Sequence, residues 1–460
     1  MGFSPQLAAI RFGCGLSADI APPQTRAQML AALTGPDAAA QAFPVPSFSH
    51  LAGLQVKYRK LRTKSQDMEA AGEGEGGLRS RYKALRQQTR EDHTLWAAQQ
   101  LLRWSRTQDG LRERLVRFWA DHFTVRGKTG LMKYAATSYA ESAIRPHVAG
   151  DFSALLISAV LHPMMLRYLD QTRSVGEGSR TAMKSDGARG LNENLAREIL
   201  ELHTLGVGGP YSQTDVRQLA GLLAGLTLSK GSQLKFRKSH AQPGSETIAG
   251  KTYAGHGLDT IKAALADLAV HPATARHIAG KLAVHFVSDT PDPHLVRDLE
   301  EVFLHTGGDL LAVTDALLAH PSAWGAELTN IKPPFDYAAS AGRALGLTEA
   351  DISRVGAKGI KRGLITPLAR MGQHWEAPPG PDGWPEEDEN WVTAHGLAAR
   401  MGWAMSAPRR MRRDLPDPQV FARSALGDFA DGRVLFAARS AETRPEAIGL
   451  VLSAPAFQRR

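Results

Sequence analysis

From Leu95 to Ala319, apolar residues recur three and four positions apart, the spacing that lays one stripe along an α-helix. The pattern predicts helices near 95–105, 111–123, 131–147, 153–169, 192–205, 213–228, 259–269, 273–287, 294–306 and 309–319. Local signals support several ends. Ser212 precedes Asp215 by three residues, as in a capping box with Asp in place of Glu. Gly206 follows Leu205, where a left-handed cap favours glycine. Pro163, Pro272 and Pro321 each follow a histidine after an apolar run, which suits helix–turn–helix corners. Gly221 and Gly225 lower helix propensity, so close packing against another backbone is their expected use.

Elsewhere the period fades. Residues 59–95 are dense in charge and are interrupted by the glycine-rich run 72–77, so two basic helical arms around a hinge are expected. Three irregular stretches follow, at 171–191, 229–257 and 376–391. The second holds the plausible strands, around Leu234–Arg237 and Lys251–Tyr253, read as one ribbon. The expected fold is all-α, a multi-helix array with long loops and at most one small β-ribbon. Three regions are expected: 1–94 with the hinge, a core at 95–345, and a C-terminal helical region at 346–460.

Composition narrows the function classes. Of 460 residues 43% are hydrophobic and 22% charged, enough apolar mass for a large core. The net charge of +9 favours anions without implying nucleic acid. Basic residues gather at Arg173, Arg180, Lys184 and Arg189, at Lys235 to Lys238, and at Arg409 to Arg413, with no interleaved aromatics to stack bases. Cys14 stands alone, which excludes an intramolecular disulfide and any cysteine-rich metal site. No apolar run reaches the roughly 18 residues of a membrane span. The opening Met1-Gly2-Phe3-Ser4-Pro5 lacks a basic then apolar leader, so a cytoplasmic location is the default, with export alongside a partner as the alternative. P-loop, dinucleotide, nucleophile-elbow and His-Glu-x-x-His patterns are absent.

The segment Asn192 to Gly206 carries the most chemistry. Leu195, Ile199 and Leu202 share one face, with His203 projecting beside them. Asn194, Glu198 and Glu201 line the other, beside Arg197. They read either as an acid/amide stripe facing a pocket or as surface ion pairs Glu193–Arg197 and Arg197–Glu201. His122 lies on the apolar stripe of Leu115, Phe118 and Trp119, as a general base or as a hydrogen-bonded core histidine. Asp121 adjoins it but points away from that stripe. Asp170 ends a helix, where the dipole disfavours an acid. It needs a partner, either an arginine, which is the plainer choice, or a divalent metal shared with Glu198 and Glu201.

Several runs resemble the bacterial family catalogued as domain of unknown function 1800. They are Arg117-Phe118-Trp119 through Val125, Tyr168-Leu169-Asp170, Asn192-Glu193-Asn194 through Val207, and Tyr211 to Asp215. His271 to Arg276, His285 to Asp289, Lys332-Pro333-Pro334 and Ser453 to Gln458 extend it over nearly the whole chain. One departure is that His240-Ala241 stands where the family often has His-Asp, which removes that acid. The resemblance implies a helical fold, no agreed reaction, and pairing with an exported partner of the alkaline-phosphatase and sulfatase class. Three functions stay open. One is a hydrolase, metal-assisted or not, in which Asn194, Arg197, Glu198, Glu201, His122 and Asp170 converge beneath a lid at 171–191. The others are a non-catalytic partner or scaffold and a polyanion binder.

Overall fold

Cap chemistry sets the corners of the computed structural model, which describes residues 2–72, 76–184 and 190–460. His162, His271 and His320 sit in extended backbone before their prolines, and Nδ1 of each accepts the N–H two residues on, at 3.2, 3.0 and 3.2 Å. The imidazole thus satisfies a helix-start donor that a serine or aspartate would ordinarily take. Ser212 and Asp215 form the expected capping box, and Gly206 is left-handed with φ +87°. The helices Phe48–Ala70 and Leu78–Arg106 are the two basic arms, in contact through Tyr58 and Tyr82 with ring centres 5.8 Å apart. Residues 73–75 of the expected hinge lie outside the described residues.

Some elements differ from the periodic reading. The 131–147 segment is a broken series: a 3-10 turn Gly130–Tyr134, an α-turn Ala136–Tyr139, a π-turn Ala140–Ile144 and a 3-10 turn Arg145–His147. The irregular winding lets both Glu141 and Arg145 turn inward, where Arg145 meets Glu113 at 2.7 Å and Glu141 at 3.1 Å. The 213–228 helix stops at Leu223, because Gly225 at φ +102° turns the chain into strand β1 (Leu226–Leu228). Among the described residues there are two ribbons rather than one. β1 pairs antiparallel with β2 (Leu234–Phe236), and β3 (Ser245–Ile248) pairs with β4 (Lys251–Ala254). The two expected strands each have their own neighbour. A Cβ at Gly225 would lie 3.0 Å from the Arg237 carbonyl oxygen, and one at Gly221 would lie 2.6 Å from the Glu246 carboxylate.

The other regular elements are helices, and among the described residues no helix is long and apolar enough to cross a membrane. Two hydrophobic clusters form the core. One gathers residues from Leu7 to Leu328, the other combines Ala97 to Trp104 with residues from Phe335 to Phe457. An ionic junction is buried beside the helix Gly110–His122. Asp336, from the helix Pro334–Ala344, meets Arg114 and Arg117 at 3.5 Å each, and Arg460 more closely still. Nη2 of Arg114 reaches Nε2 of His285 at 3.0 Å, and Nδ1 of His285 lies 2.8 Å from the Glu386 carboxylate. Burial lowers His285 to about 4, so its ring is neutral, donating to Glu386 through Nδ1 and accepting from Arg114 through Nε2. Burial acts to raise the Asp336 pKa, but Arg460 and Arg114 hold it below the ordinary carboxylate value.

Removing this carboxylate strands the buried guanidiniums of Arg114 and Arg460 and leaves the half-buried Arg117 without its acid. Asp336→Ala is expected to lose about 3–5 kcal/mol of unfolding free energy at pH 7 in urea denaturation. The wild-type advantage is present above the unfolded carboxyl value and disappears as pH falls through the lower folded one, so the two proteins converge in strong acid. A loss under 1 kcal/mol at pH 7 contradicts this account.

Candidate functional site

The Asn192–Gly206 segment is built in two windings. A short α-helix, Asn194–Glu198, passes into a π-turn, Ile199–His203, closed by Thr204 Oγ1 donating to the Ile199 carbonyl at 2.6 Å. The wider turn carries His203 into the core while Glu198 and Glu201 stay on the outer face. There Arg197 spans Glu201 at 3.1 Å, Glu193 at 3.4 Å and Gln213 at 3.1 Å. Asn194 is exposed, and it is Asn192 that anchors the segment, with Nδ2 donating to the Leu169 carbonyl at 3.3 Å. Glu198 is partly buried and makes no ion pair among the described residues. Burial, then the charges of Glu201 and Asp382, raise it to about 7. Tyr168 feels both Glu198 and Asp382, so these three groups share one patch.

The other expected members stand apart. His122 is 2% exposed, on the inner side of the π-turn, with Nε2 3.3 Å from the His203 carbonyl oxygen. The rings of His203 and His277 lie 5.7 and 6.1 Å from it, and Phe123 lies 4.5 Å from it. Burial drives His122 and His203 well below the usual imidazole value, so both rings pack as neutral groups. The fold therefore does not bring His122 together with Glu198 and Glu201, which lie on the outer face of the same segment. Asp170 takes a left-handed backbone (φ +57°) and pairs with Lys128 at 2.7 Å, a lysine where arginine was the simpler expectation. Among the described residues no group of three or more His, Cys, Asp or Glu is placed to hold a metal ion, so Asp170, Glu198 and Glu201 are not gathered as such a group. Within the expected lid, Gly176 N–H donates to the His240 carbonyl at 2.9 Å and Gly178 N–H to Gln242 at 3.1 Å, while Glu177 pairs with Arg217 at 2.9 Å. Ser185 and Arg189 lie outside the described residues.

A second feature escaped the periodic reading. Between the helix Gly110–His122, the 136–141 turns and the 368–384 segment lies a cavity of about 130 Å³. Asp121 lines it, and both its carboxylate oxygens sit 3.1 Å from the Trp384 N–H. Gly383 (φ +86°) makes this approach possible, since a Cβ there would fall 2.7 Å from the Asp121 carbonyl oxygen. Burial, then the charge of Glu386, raises Asp121 to about 7, against the opposing pull of the Trp384 N–H. Arg117 enters from the same helix, stacked 4.4 Å over Phe335. Trp375, Trp384 and Gln373 close the far wall. Glu376 is already engaged, by His93 at 2.9 Å and by Thr137 N–H at 2.9 Å. These contacts, with a close bond from the Thr137 hydroxyl, keep it below the ordinary carboxylate value despite its burial.

The 382–384 turn joins the two features, since the charge of Asp382 acts on Glu198 and the Trp384 backbone N–H holds Asp121. The signal that could have found the cavity was an acid on the non-apolar side of a strong helix, together with tryptophans in a proline-rich loop. Neither carries a period. A family model described as "Protein of unknown function (DUF1800)" matches residues 7–459. No curated protein and no solved structure matches the chain.

The elevated Glu198 value has a testable sign. The folded chain retains this proton between about 4.5 and about 7, so the group's contribution to stability falls as pH rises through that window. Glu198→Gln is therefore expected to stabilise the protein at pH 8 by about 1 kcal/mol, allowing for solvent screening, and to change little at pH 4.5. Urea denaturation at the two pH values checks this. An equal effect at both would remove Glu198's titration as the cause.

Proposed function

The chain belongs to the DUF1800 family of proteins of unknown function, and for it we propose an acid–base hydrolase whose reacting centre is the Asp121 cavity. The observation that carries this is a half-buried carboxyl that makes no ion pair among the described residues, is raised to about 7, and lines a cavity with Arg117, Gln373, Trp375 and Trp384. A carboxyl near 7 is divided between acid and base at neutral pH, the condition for giving a proton to a leaving group and taking one from water. Trp384 N–H fixes its orientation, Trp375 and Trp384 offer apolar faces, and Arg117 and Gln373 offer donors to substrate oxygens. Glu198, with Arg197 and Glu201, acts from the outer side of the 382–384 turn as a positioning group.

The second reading is a non-catalytic partner, such as one working with a phosphatase- or sulfatase-like protein. It is favoured by the Glu193–Arg197–Glu201–Gln213 ladder, whose groups satisfy one another as a structural network would.

A panel of nitrophenyl esters, glycosides and phosphates, assayed with the full chain, separates the readings. The wild type is expected to turn over one class with a pH–rate limb near 7, and Asp121→Asn to lower that rate by about 10²–10⁴-fold without loss of the folded state. Asparagine retains an acceptor for Trp384 N–H, so a folding defect is not the expected cause. Absence of turnover across the panel, together with recovery of one stoichiometric protein partner, favours the second reading; an Asp121→Asn rate equal to wild type overturns the first.

A further inference from the structure

The arginine run Arg409 to Arg413 has no part in the Asp121 site, yet two of its arginines border a separate cleft. The helix Glu349–Ile360, its π-helical continuation Lys361–Ile365 and the end of the helix Ala394–Met411 enclose a groove of about 610 Å³ over Leu101. Gly356, at φ +58° and ψ −175°, breaks the first helix beside it. The floor is aliphatic: Leu101, Leu347, Ile352, Ile360 and Leu364 are all buried there. The rim is cationic. Arg354, Arg362, Arg370, Arg409 and Arg410 all line the groove and are exposed. Arg354 donates to the Arg410 carbonyl at 3.2 Å, which draws the two sides of the rim together.

The one acid lining the groove, Asp351, is occupied as a helix cap, accepting from Thr348 N–H at 3.1 Å and from its hydroxyl at 2.7 Å. Among the described residues none of the five arginines pairs with a carboxylate. Five like charges around one cleft repel one another, and a bound anion relieves that repulsion. Phosphate suits guanidinium geometry, and an aliphatic chain removes its own apolar surface from water by entering a groove floored with these side chains. We propose that this groove binds a single-chain amphipathic anion, an aliphatic chain lying on the floor with a phosphate head among the rim arginines. Charge complementarity selects the head and the apolar floor selects the tail, so neither part alone suffices. The inference does not depend on the Asp121 site.

The test is calorimetric titration of the full chain with dodecyl phosphate below its micelle concentration, with inorganic phosphate and dodecanol titrated in parallel. Dodecyl phosphate is expected to bind one per chain at micromolar Kd and to raise the melting temperature, with both other probes at least about tenfold weaker. Arg362→Ala combined with Arg409→Ala, both exposed, is expected to weaken binding at least about tenfold while circular dichroism stays unchanged, and Asp121→Asn to leave it intact. Equal binding of inorganic phosphate reduces the rim to a general polyanion surface and overturns the proposal. So does unchanged affinity in the double variant, or the absence of dodecyl phosphate binding.

Discussion

One buried carboxylate holds the molecule together at its centre. Asp336 lies among Arg114, Arg117 and Arg460, and the chain of contacts continues through His285 to Glu386. Charges removed from water are costly unless each meets its partner in good geometry. The five segments that bring them, around 114, 285, 336, 386 and 460, must therefore arrive in one arrangement. Nearby, Lys332 is buried and lowered to about 7, donating to the Phe457 carbonyl at 2.8 Å, while Arg400 donates to its carbonyl at 2.8 Å. The junction thus binds the helix Gly110–His122, part of the first apolar cluster, to the Pro334–Ala344 helix of the second.

The candidate site inherits its electrostatics from this junction. Arg117 has its side chain turned to Asp336 and Phe335, so it offsets the nearby Asp121 carboxyl only weakly. Glu386, two residues from Trp384 and fixed by His285, adds a negative charge near the same carboxyl. An acid poised near neutrality results because burial and the Glu386 charge outweigh the nearby cations Lys281 and Arg117. The long 376–391 stretch is held by the same economy of pairs. Glu376 binds Thr137 and His93, Trp384 N–H binds Asp121, Glu386 binds His285, and Asp388 accepts from Ile331 N–H at 2.6 Å.

The histidines illustrate how one residue type takes three roles in one fold. His162, His271 and His320 cap helices. His122, His203 and His277 pack as neutral rings beneath the π-turn. His285 relays a hydrogen bond between two charges. Only the first role has a sequence signature, because a proline must follow. The π-turn separates the second group from Glu198 and Glu201, placing a polar outer face and a sealed imidazole cluster on opposite sides of the same five residues.

What the chain determines by itself is what acts within about four residues: helix periods, caps and turns. On that basis the all-α architecture, the family resemblance, the His-Pro corners, the Ser212–Asp215 box and the Gly206 cap were legible. The choice of partners was not. Leu234–Phe236 pairs with Leu226–Leu228 rather than with Lys251–Ala254, and the 131–147 helix breaks to turn two charges inward. Asp121 acquires its environment from Trp384, 263 residues away. Burial and charge pairing depend on which distant segments share an interior, and no local period records that. Tertiary structure alone decided that His122 is sealed on the inner side while Glu198 stays outside, that Asp170 pairs with Lys128, and that an acid passed over in sequence lines the cavity.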